Sequence, residues 1–397
     1  MIVGVPIETY PNENRVALVP ALVPTLAKIG MEVIVEQGAG EKAGFANAEY
    51  EKHGARIISN RTEVFFSADV LVQVRGFGTN PNAGHTDLEL FRYGQSVVGQ
   101  FNPLGAPKAA LALAGKGVTS FALELLPRIS RAQSMDVLSS MASIAGYKAA
   151  LLAAGAIKKM FPMMITAAGT ISPAKVFVIG AGVAGLQAIA TSRRLGASIR
   201  AYDVRPAVKE QVESLGAKFV ELELETKESE TSGGYAKAMD EEFYRRQREL
   251  MTRVVAECDA VITTAAVPGK KAPVLITEDM VKGMRLGSVI VDLAAESGGN
   301  CELTRPGDVV EVHGVTILGT LNLPSTIPYH ASQMYAKNVA TFLQNLLKNG
   351  SIHLDLEDQI IRDTLLTHEG EVVNAQVREL LGLPALTQKN DEKESSS

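Results

Sequence analysis

The 397-residue chain has only two cysteines, Cys258 and Cys301, far apart in sequence. That excludes a disulfide scaffold and a cysteine zinc site, and it fits a reducing compartment. The six histidines, His53, His85, His313, His330, His353 and His368, follow no metal-ligand spacing, so no metal is expected. Basic residues are not in excess: the net charge is −5, and no basic stretch interleaved with aromatics occurs, which argues against a nucleic-acid binder. Long apolar runs are also missing. The most apolar segment, residues 149–157, is cut off by Lys148 and Lys158, well short of the roughly 20 residues of a spanning helix. The first eight residues, Met-Ile-Val-Gly-Val-Pro-Ile-Glu, contain neither a basic nor a long apolar leader segment. The expectation is a cytoplasmic chain without a signal peptide or a direct membrane span, whose membrane role, if any, comes through partners.

What the chain does have is hydrophobic residue at 46%, enough over this length for two cores. Strand patterns at residues 2–5, 32–36, 70–74, 96–100 and 119–122 alternate with helical patterns at 22–29 and 48–53. A helical segment at 139–160 leads to strands near Val176, Ile199, Lys218, Ala260, Ser288 and Val315, and a helical run at 332–348 follows. The expected fold class is α/β: two Rossmann-like domains, each a mainly parallel sheet flanked by helices, with a cleft between them. The first domain comprises residues 1–140 and 325–385, the second residues 141–324. The last stretch, 386–397, is polar and expected to be disordered. No internal repeat is present.

One segment carries chemistry. Lys175-Val-Phe-Val-Ile-Gly-Ala-Gly-Val-Ala-Gly-Leu-Gln-Ala-Ile-Ala190 reads as a buried strand, a glycine-rich turn and a helix, and Ala197-Ser-Ile-Arg-Ala-Tyr-Asp203 as the next strand. This is the order of a dinucleotide-binding βαβ unit. Gly180 permits the turn, Gly182 lets backbone approach a pyrophosphate, and Gly185 lets helix pack on sheet. Asp203 stands where a carboxylate accepts both hydroxyls of an adenosine ribose, which favours NAD over NADP. Arg205 fits either stacking near the adenine or a solvated loop charge. The glutamate-rich stretch Glu221 to Tyr244 is read as a solvated acidic loop or as a lid hinged at Gly233-Gly234 and closed by Tyr235. No second GxGxxG is present for NADP.

The loop Pro127-Arg-Ile-Ser-Arg-Ala-Gln-Ser-Met-Asp136-Val-Leu-Ser-Ser140 resembles the signature of the NAD(H)-binding component of proton-translocating transhydrogenases, the first portion of their alpha subunit. The resemblance extends through Phe161-Pro-Met-Met-Ile-Thr-Ala-Ala-Gly169, the glycine-rich segment, Lys209-Glu-Gln-Val-Glu-Ser-Leu-Gly216, Gly233-Gly-Tyr-Ala-Lys237 and Asp292-Leu-Ala-Ala-Glu-Ser-Gly-Gly-Asn300, covering the chain to about residue 385. It implies that Asp136 and Ser139 hold the nicotinamide carboxamide, that Arg128 pairs with Asp136, and that Gln133 reaches toward the second nucleotide. It further implies Ile129, Val183, Val204, Gly234, Tyr235, Gln247, Ala265 and Ala266 around NAD(H), beside Asp203 and Arg205. The implied partners are an NADP(H)-binding beta subunit, membrane-spanning subunits and a second copy of the chain, at the cytoplasmic face of an inner membrane.

The opening Gly4-Val-Pro-Ile-Glu-Thr-Tyr-Pro-Asn-Glu-Asn-Arg15 is similar to that of the alanine dehydrogenases, whose arginine at this place grips a substrate carboxylate. There a lysine and a histidine complete the chemistry, and here Arg75 and Asn102 stand in their places. An amino-acid dehydrogenase must move a proton along with the hydride; arginine stays protonated and asparagine does not titrate. Hydride exchange between nicotinamides needs positioning and no such base. A soluble amino-acid dehydrogenase and a non-catalytic NAD sensor remain the alternatives.

Overall fold

The computed structural model describes residues 1–221, 241–267, 269–348 and 350–386. The chain divides into two units, Met1–Val137 with the chain from Pro328 onward, and Leu138–Ile327.

In the first unit an eight-stranded sheet runs, edge to edge, Arg56–Ile58, Glu32–Glu36, Ile2–Val5, Val70–Arg75, Ser96–Gln100, Thr119–Ala122, Leu365–His368 and Glu371–Val372. The first six are parallel, in the doubly wound order 3-2-1-4-5-6. Helices cover both faces, so the central strands are apolar without alternation: five of the six residues of Val70–Arg75 are buried. The last two strands are antiparallel additions from the end of the chain. Sequence pattern did not anticipate them. Thr367 donates its hydroxyl to the carbonyl of Val118 at 2.7 Å and accepts from Ser120 at 2.7 Å, because its single proton is already used. The returning helix, Pro328–Leu346, begins four residues earlier than the pattern suggests and buries ten side chains.

The second unit repeats that order. Its sheet runs Lys218–Phe219, Ser198–Tyr202, Lys175–Ile179, Ala260–Thr263, Val289–Asp292, Val315–Gly319 and an antiparallel edge strand, Val309–Val312. Val176 pairs with Ile199 on one side and Ala260 on the other. A hairpin of Met164–Thr166 and Gly169–Ile171 stands apart from this sheet, with Ile165 76% and Met163 57% exposed.

The helix Val137–Ala156 corrects the hydropathy reading. Its 20 residues, with mean hydropathy 1.4 over an 18-residue stretch, are long and apolar enough to cross a membrane by length and composition. Within the second unit, however, Ala149, Ala150 and Ala153 are fully buried among Val176, Val178 and Ile189. Small residues make this packing possible: a Cβ at Gly146 would lie 2.0 Å from the carbonyl oxygen of Ala184. Gly155, on the same helix, has open space where its Cβ would be. An exchange of glycine for alanine gains up to about 1 kcal/mol of helix propensity, whereas overpacking costs about 1–3 kcal/mol. Gly146→Ala is therefore expected to lower stability and Gly155→Ala to leave it unchanged or raise it, read from urea denaturation midpoints of the two variants side by side.

Candidate functional site

The glycine-rich turn is built by close backbone approach. Gly180 ends the strand at φ +95°, a left-handed conformation that a side chain would strain. A Cβ at Gly185 would meet the Gly180 carbonyl oxygen at 1.8 Å, so that helix and strand contact through bare backbone. Gly182 caps the helix Val183–Arg194 without any side-chain hydrogen bond, and the place its Cβ would occupy is open. Val183, at the first helical position, is 40% exposed. The amino end of a twelve-residue helix thus presents amides beside open space, which suits a phosphate group.

Asp203 follows the neighbouring strand. One carboxylate oxygen accepts from the backbone amide of Ala181 at 2.8 Å and from Nη2 of Arg205 at 2.9 Å. The other accepts from the backbone N and the Nε of Arg205, both at 2.9 Å. The reading of Arg205 as a solvated charge is therefore corrected: its side chain is 15% exposed and gripped by the acid two residues before it. Beyond the fourth strand, Thr264 donates to the carbonyl of Gly180 at 3.0 Å, tying the two strand ends together. Ala265 is half-buried and Ala266 exposed. Gln247 is buried, donates to the Tyr202 hydroxyl at 3.1 Å, and lines a cavity of about 860 Å³ with Arg245, Arg248 and Met251. Gly180, Gly182, Gly185, Asp203, Val204 and Ala265 all belong to this one unit. Gly234 and Tyr235, with the lid reading of their loop, lie outside the described residues.

Two residues without an assigned role hold this end of the sheet. Asp292 has no exposure and accepts from the hydroxyls of Thr263 and Thr304 and the amides of Ala294, Asn300 and Cys301, at 2.7–3.1 Å. Asn300 in turn accepts from the Ala265 amide at 3.0 Å and donates to the carbonyls of Ala265 and Pro273 at 2.8 Å. The segment Asp292-Leu-Ala-Ala-Glu-Ser-Gly-Gly-Asn300 was their only signal in the sequence.

The transhydrogenase-like loop lies at the end of the first unit. Arg128 and Gln133 are exposed, Ile129 and Asp136 half-buried. A 3₁₀ turn, Ser130–Met135, is pinned by Asn338, which donates to the carbonyl of Ser134 at 2.9 Å. Asp136 closes that turn, and Ser139 sits in the first turn of the following helix.

Where the first sheet's strand order reverses, between Ile2–Val5 and Val70–Arg75, Glu8 accepts from the amides of Val74 at 2.6 Å and Arg75 at 3.0 Å. Glu13 takes Nε and Nη2 of Arg15 at 2.8 and 2.6 Å, and Nε of Arg75 at 3.2 Å. The Arg75 guanidinium also lies over the ring of Tyr10. Burial opposes the charge of Arg15, but Glu13 outweighs it and raises the pKa. Asn102 sits in the left-handed region at φ +51°, its amide donating to Glu124. Among the described residues no group of three or more His, Cys, Asp or Glu side chains could hold a metal ion.

Burial, followed by the nearby Glu13, pushes Glu8 up to about 8 from an ordinary 4.5; burial pushes Glu124 up to about 7. Raised carboxyl pKa values mean that the folded state holds these protons more tightly than the unfolded chain does. Their stabilising contribution is present below the ordinary pKa and is lost as pH rises through about 7 to 8. Urea midpoints of the unaltered chain should fall between about pH 5 and about pH 9. Glu8→Gln, which cannot ionise, should show a smaller fall; an unchanged slope would assign the proton elsewhere.

Two family models match the chain: Alanine dehydrogenase/PNT, N-terminal domain, over residues 4–145, and Alanine dehydrogenase/PNT, C-terminal domain, over residues 149–375. The first portion of the alpha subunit of the NAD(P) transhydrogenase of Rhodospirillum rubrum is 46% identical over 377 residues, 94% of this chain and 98% of that protein. The alanine dehydrogenase of Bacillus subtilis is 30% identical over 396 residues, 96% of this chain and 95% of that protein. The crystal structure of transhydrogenase from Sinorhizobium meliloti matches with a TM-score of 0.81 at 44% identity, covering 94% of this chain and 99% of that one. Matched in both halves and along nearly its whole length, the chain belongs to the alanine dehydrogenase/PNT family.

Proposed function

We propose that this chain is the NAD(H)-binding component of a proton-translocating NAD(P) transhydrogenase, active only with partner subunits. Bound NADH would supply a hydride that passes directly to NADP⁺ held on a beta subunit, with membrane-spanning subunits coupling the transfer to proton movement. The observation that carries this reading is the near full-length similarity to the first portion of a transhydrogenase alpha subunit, well above that to alanine dehydrogenase. The open amino end at Gly182 and the acid at the next strand's end fit a dinucleotide.

On this reading the chain's own work is binding and orientation. Amides after Gly182 and the side chain of Val183 receive the pyrophosphate, Asp203 the adenosine ribose, and Val204, Gln247, Ala265 and Ala266 the remaining surface. Asp136 and Ser139 hold the nicotinamide carboxamide, Ile129 lies along the ring, Arg128 steadies Asp136, and Gln133 reaches toward the second nucleotide. Alignment of reacting groups alone supplies about 7–11 kcal/mol in the best oriented reactions, and loss of about 1 Å of alignment can cost about a hundredfold. A hairpin that exposes Met163, Met164, Ile165 and Ile171 supports a homodimer. The chain would then sit at the cytoplasmic face of an inner membrane through its partners.

A second reading, a soluble NAD-dependent amino-acid dehydrogenase, is favoured by one observation: Glu124, pushed up to about 7 by burial, has a carboxylate oxygen with no hydrogen-bond partner. Against it, the Arg15 fork that would take a substrate carboxylate is closed by Glu13.

Stopped-flow mixing of the NADH-loaded chain with an NADP⁺-loaded transhydrogenase domain should give rapid hydride transfer that neither protein performs alone. NADH oxidation by the chain alone with pyruvate and ammonia would replace this reading with the second. Gln133→Asn should slow transfer by about a hundredfold while NADH affinity stays within about twofold.

A further inference from the structure

The hydrogen bonds around Asp203 have a division of labour that the assigned roles do not use. Each carboxylate oxygen accepts one backbone amide, from Ala181 on one side and Arg205 on the other. Each also accepts one guanidinium N–H, Nη2 and Nε of Arg205. Each oxygen of Asp203 thus already carries two donors, matching the roughly four lone-pair positions of a carboxylate. The backbone donors are fixed by the turn and the strand end. The two guanidinium donors belong to a side chain and not to the backbone. A ribose presents the same pattern, two adjacent hydroxyls that donate to the two oxygens of one carboxylate.

We propose that Arg205, in place of the NAD(H) contact that the resemblance implies for it, is an internal competitor of the adenosine ribose and sets the affinity of this site for NAD(H). The proposal rests on the nucleotide-binding reading of Asp203 given above. Binding exchanges two guanidinium N–H donors for two ribose O–H donors, one on each oxygen, while the amides of Ala181 and Arg205 stay in place. The exchange trades hydrogen bonds charged on both donor and acceptor for hydrogen bonds charged on the acceptor alone, and it parts the guanidinium from its carboxylate. The pair is also largely shielded, with the two side chains 15% and 6% exposed, so solvent screens it less than a surface pair. Arg205 therefore weakens dinucleotide binding, and by re-entering as the ribose leaves it favours release. A chain that must exchange NADH for NAD⁺ at every turnover gains speed from such a device, provided that release and not hydride transfer limits the rate.

The experiment is equilibrium binding of NADH, followed by its fluorescence, to the unaltered chain and to Arg205→Ala, Arg205→Lys and Asp203→Asn. The same titrations are repeated with an NADH analogue lacking the 2′ and 3′ hydroxyls of the adenosine ribose. Arg205→Ala should tighten NADH binding on the order of tenfold, the scale of one net charge-assisted hydrogen bond. Arg205→Lys, which keeps the charge without the fork, should fall between, and the analogue should show no gain with either. A gain of equal size for NADH and the analogue, no gain, or weaker binding by Arg205→Ala each overturns the competition. Should Arg205→Ala fail to fold, Arg205→Lys decides by the same comparison. NADH affinity that is indifferent to Asp203→Asn would instead overturn the nucleotide-site reading on which the competition rests.

Discussion

A buried carboxylate, Asp292, organises the carboxyl end of the second sheet. It has no exposure and five hydrogen-bond donors converge on it. An ionised carboxyl removed from water is costly unless fully satisfied, and satisfying it requires the chain from Leu293 to Thr304 to curl around it. That curl delivers Asn300, whose amide group clamps both backbone groups of Ala265 and the carbonyl of Pro273. Thr264, next in chain, is thereby set to reach the Gly180 carbonyl, and Gly180 meets Gly185. The turn that presents Gly182 to solvent is thus braced from the neighbouring strand ends and not by its own glycines alone.

The two units share one strand order and use it in opposite ways. At the reversal point of the second sheet, the glycine turn leaves open space beside the first amides of a helix. At the reversal point of the first, side chains close the equivalent place: Glu8 takes the amides of Val74 and Arg75, and Glu13 takes Arg15 and Arg75. Ligands of open α/β sheets bind at such points. A carboxylate from the chain itself occupies the first. Architecture alone therefore does not assign a ligand to a unit, and the local residues decide it.

Much of the fold was legible because the central strands are runs of Val, Ile and Ala that only a doubly covered sheet accepts. The strands at residues 365–372 were not, since a segment such as Leu-Leu-Thr-His acquires its strand character from pairing with Thr119–Ala122, some 245 residues away in sequence. The Met164–Ile171 hairpin escaped for a similar reason: its apolar residues are exposed, and pattern reading assigns apolar residues to a core. Gly180, Gly182, Gly185 and Asp203 were readable because their spacing is local. Arg205 was not, because an arginine at that position has several possible partners and only the folded chain shows that Asp203 takes it.

From sequence alone came the α/β class, the dinucleotide fingerprint and the family resemblance, since each is written in residue type at fixed spacing along a continuous stretch. Tertiary structure alone decided which charges are committed to one another. The pairing of Glu13 with Arg15, the saturation of Asp203 and the burial that lifts Glu8 and Glu124 toward neutrality all depend on which groups face each other and how much water is excluded. Electrostatic interaction and desolvation are functions of distance and burial, and neither quantity exists until the chain has folded.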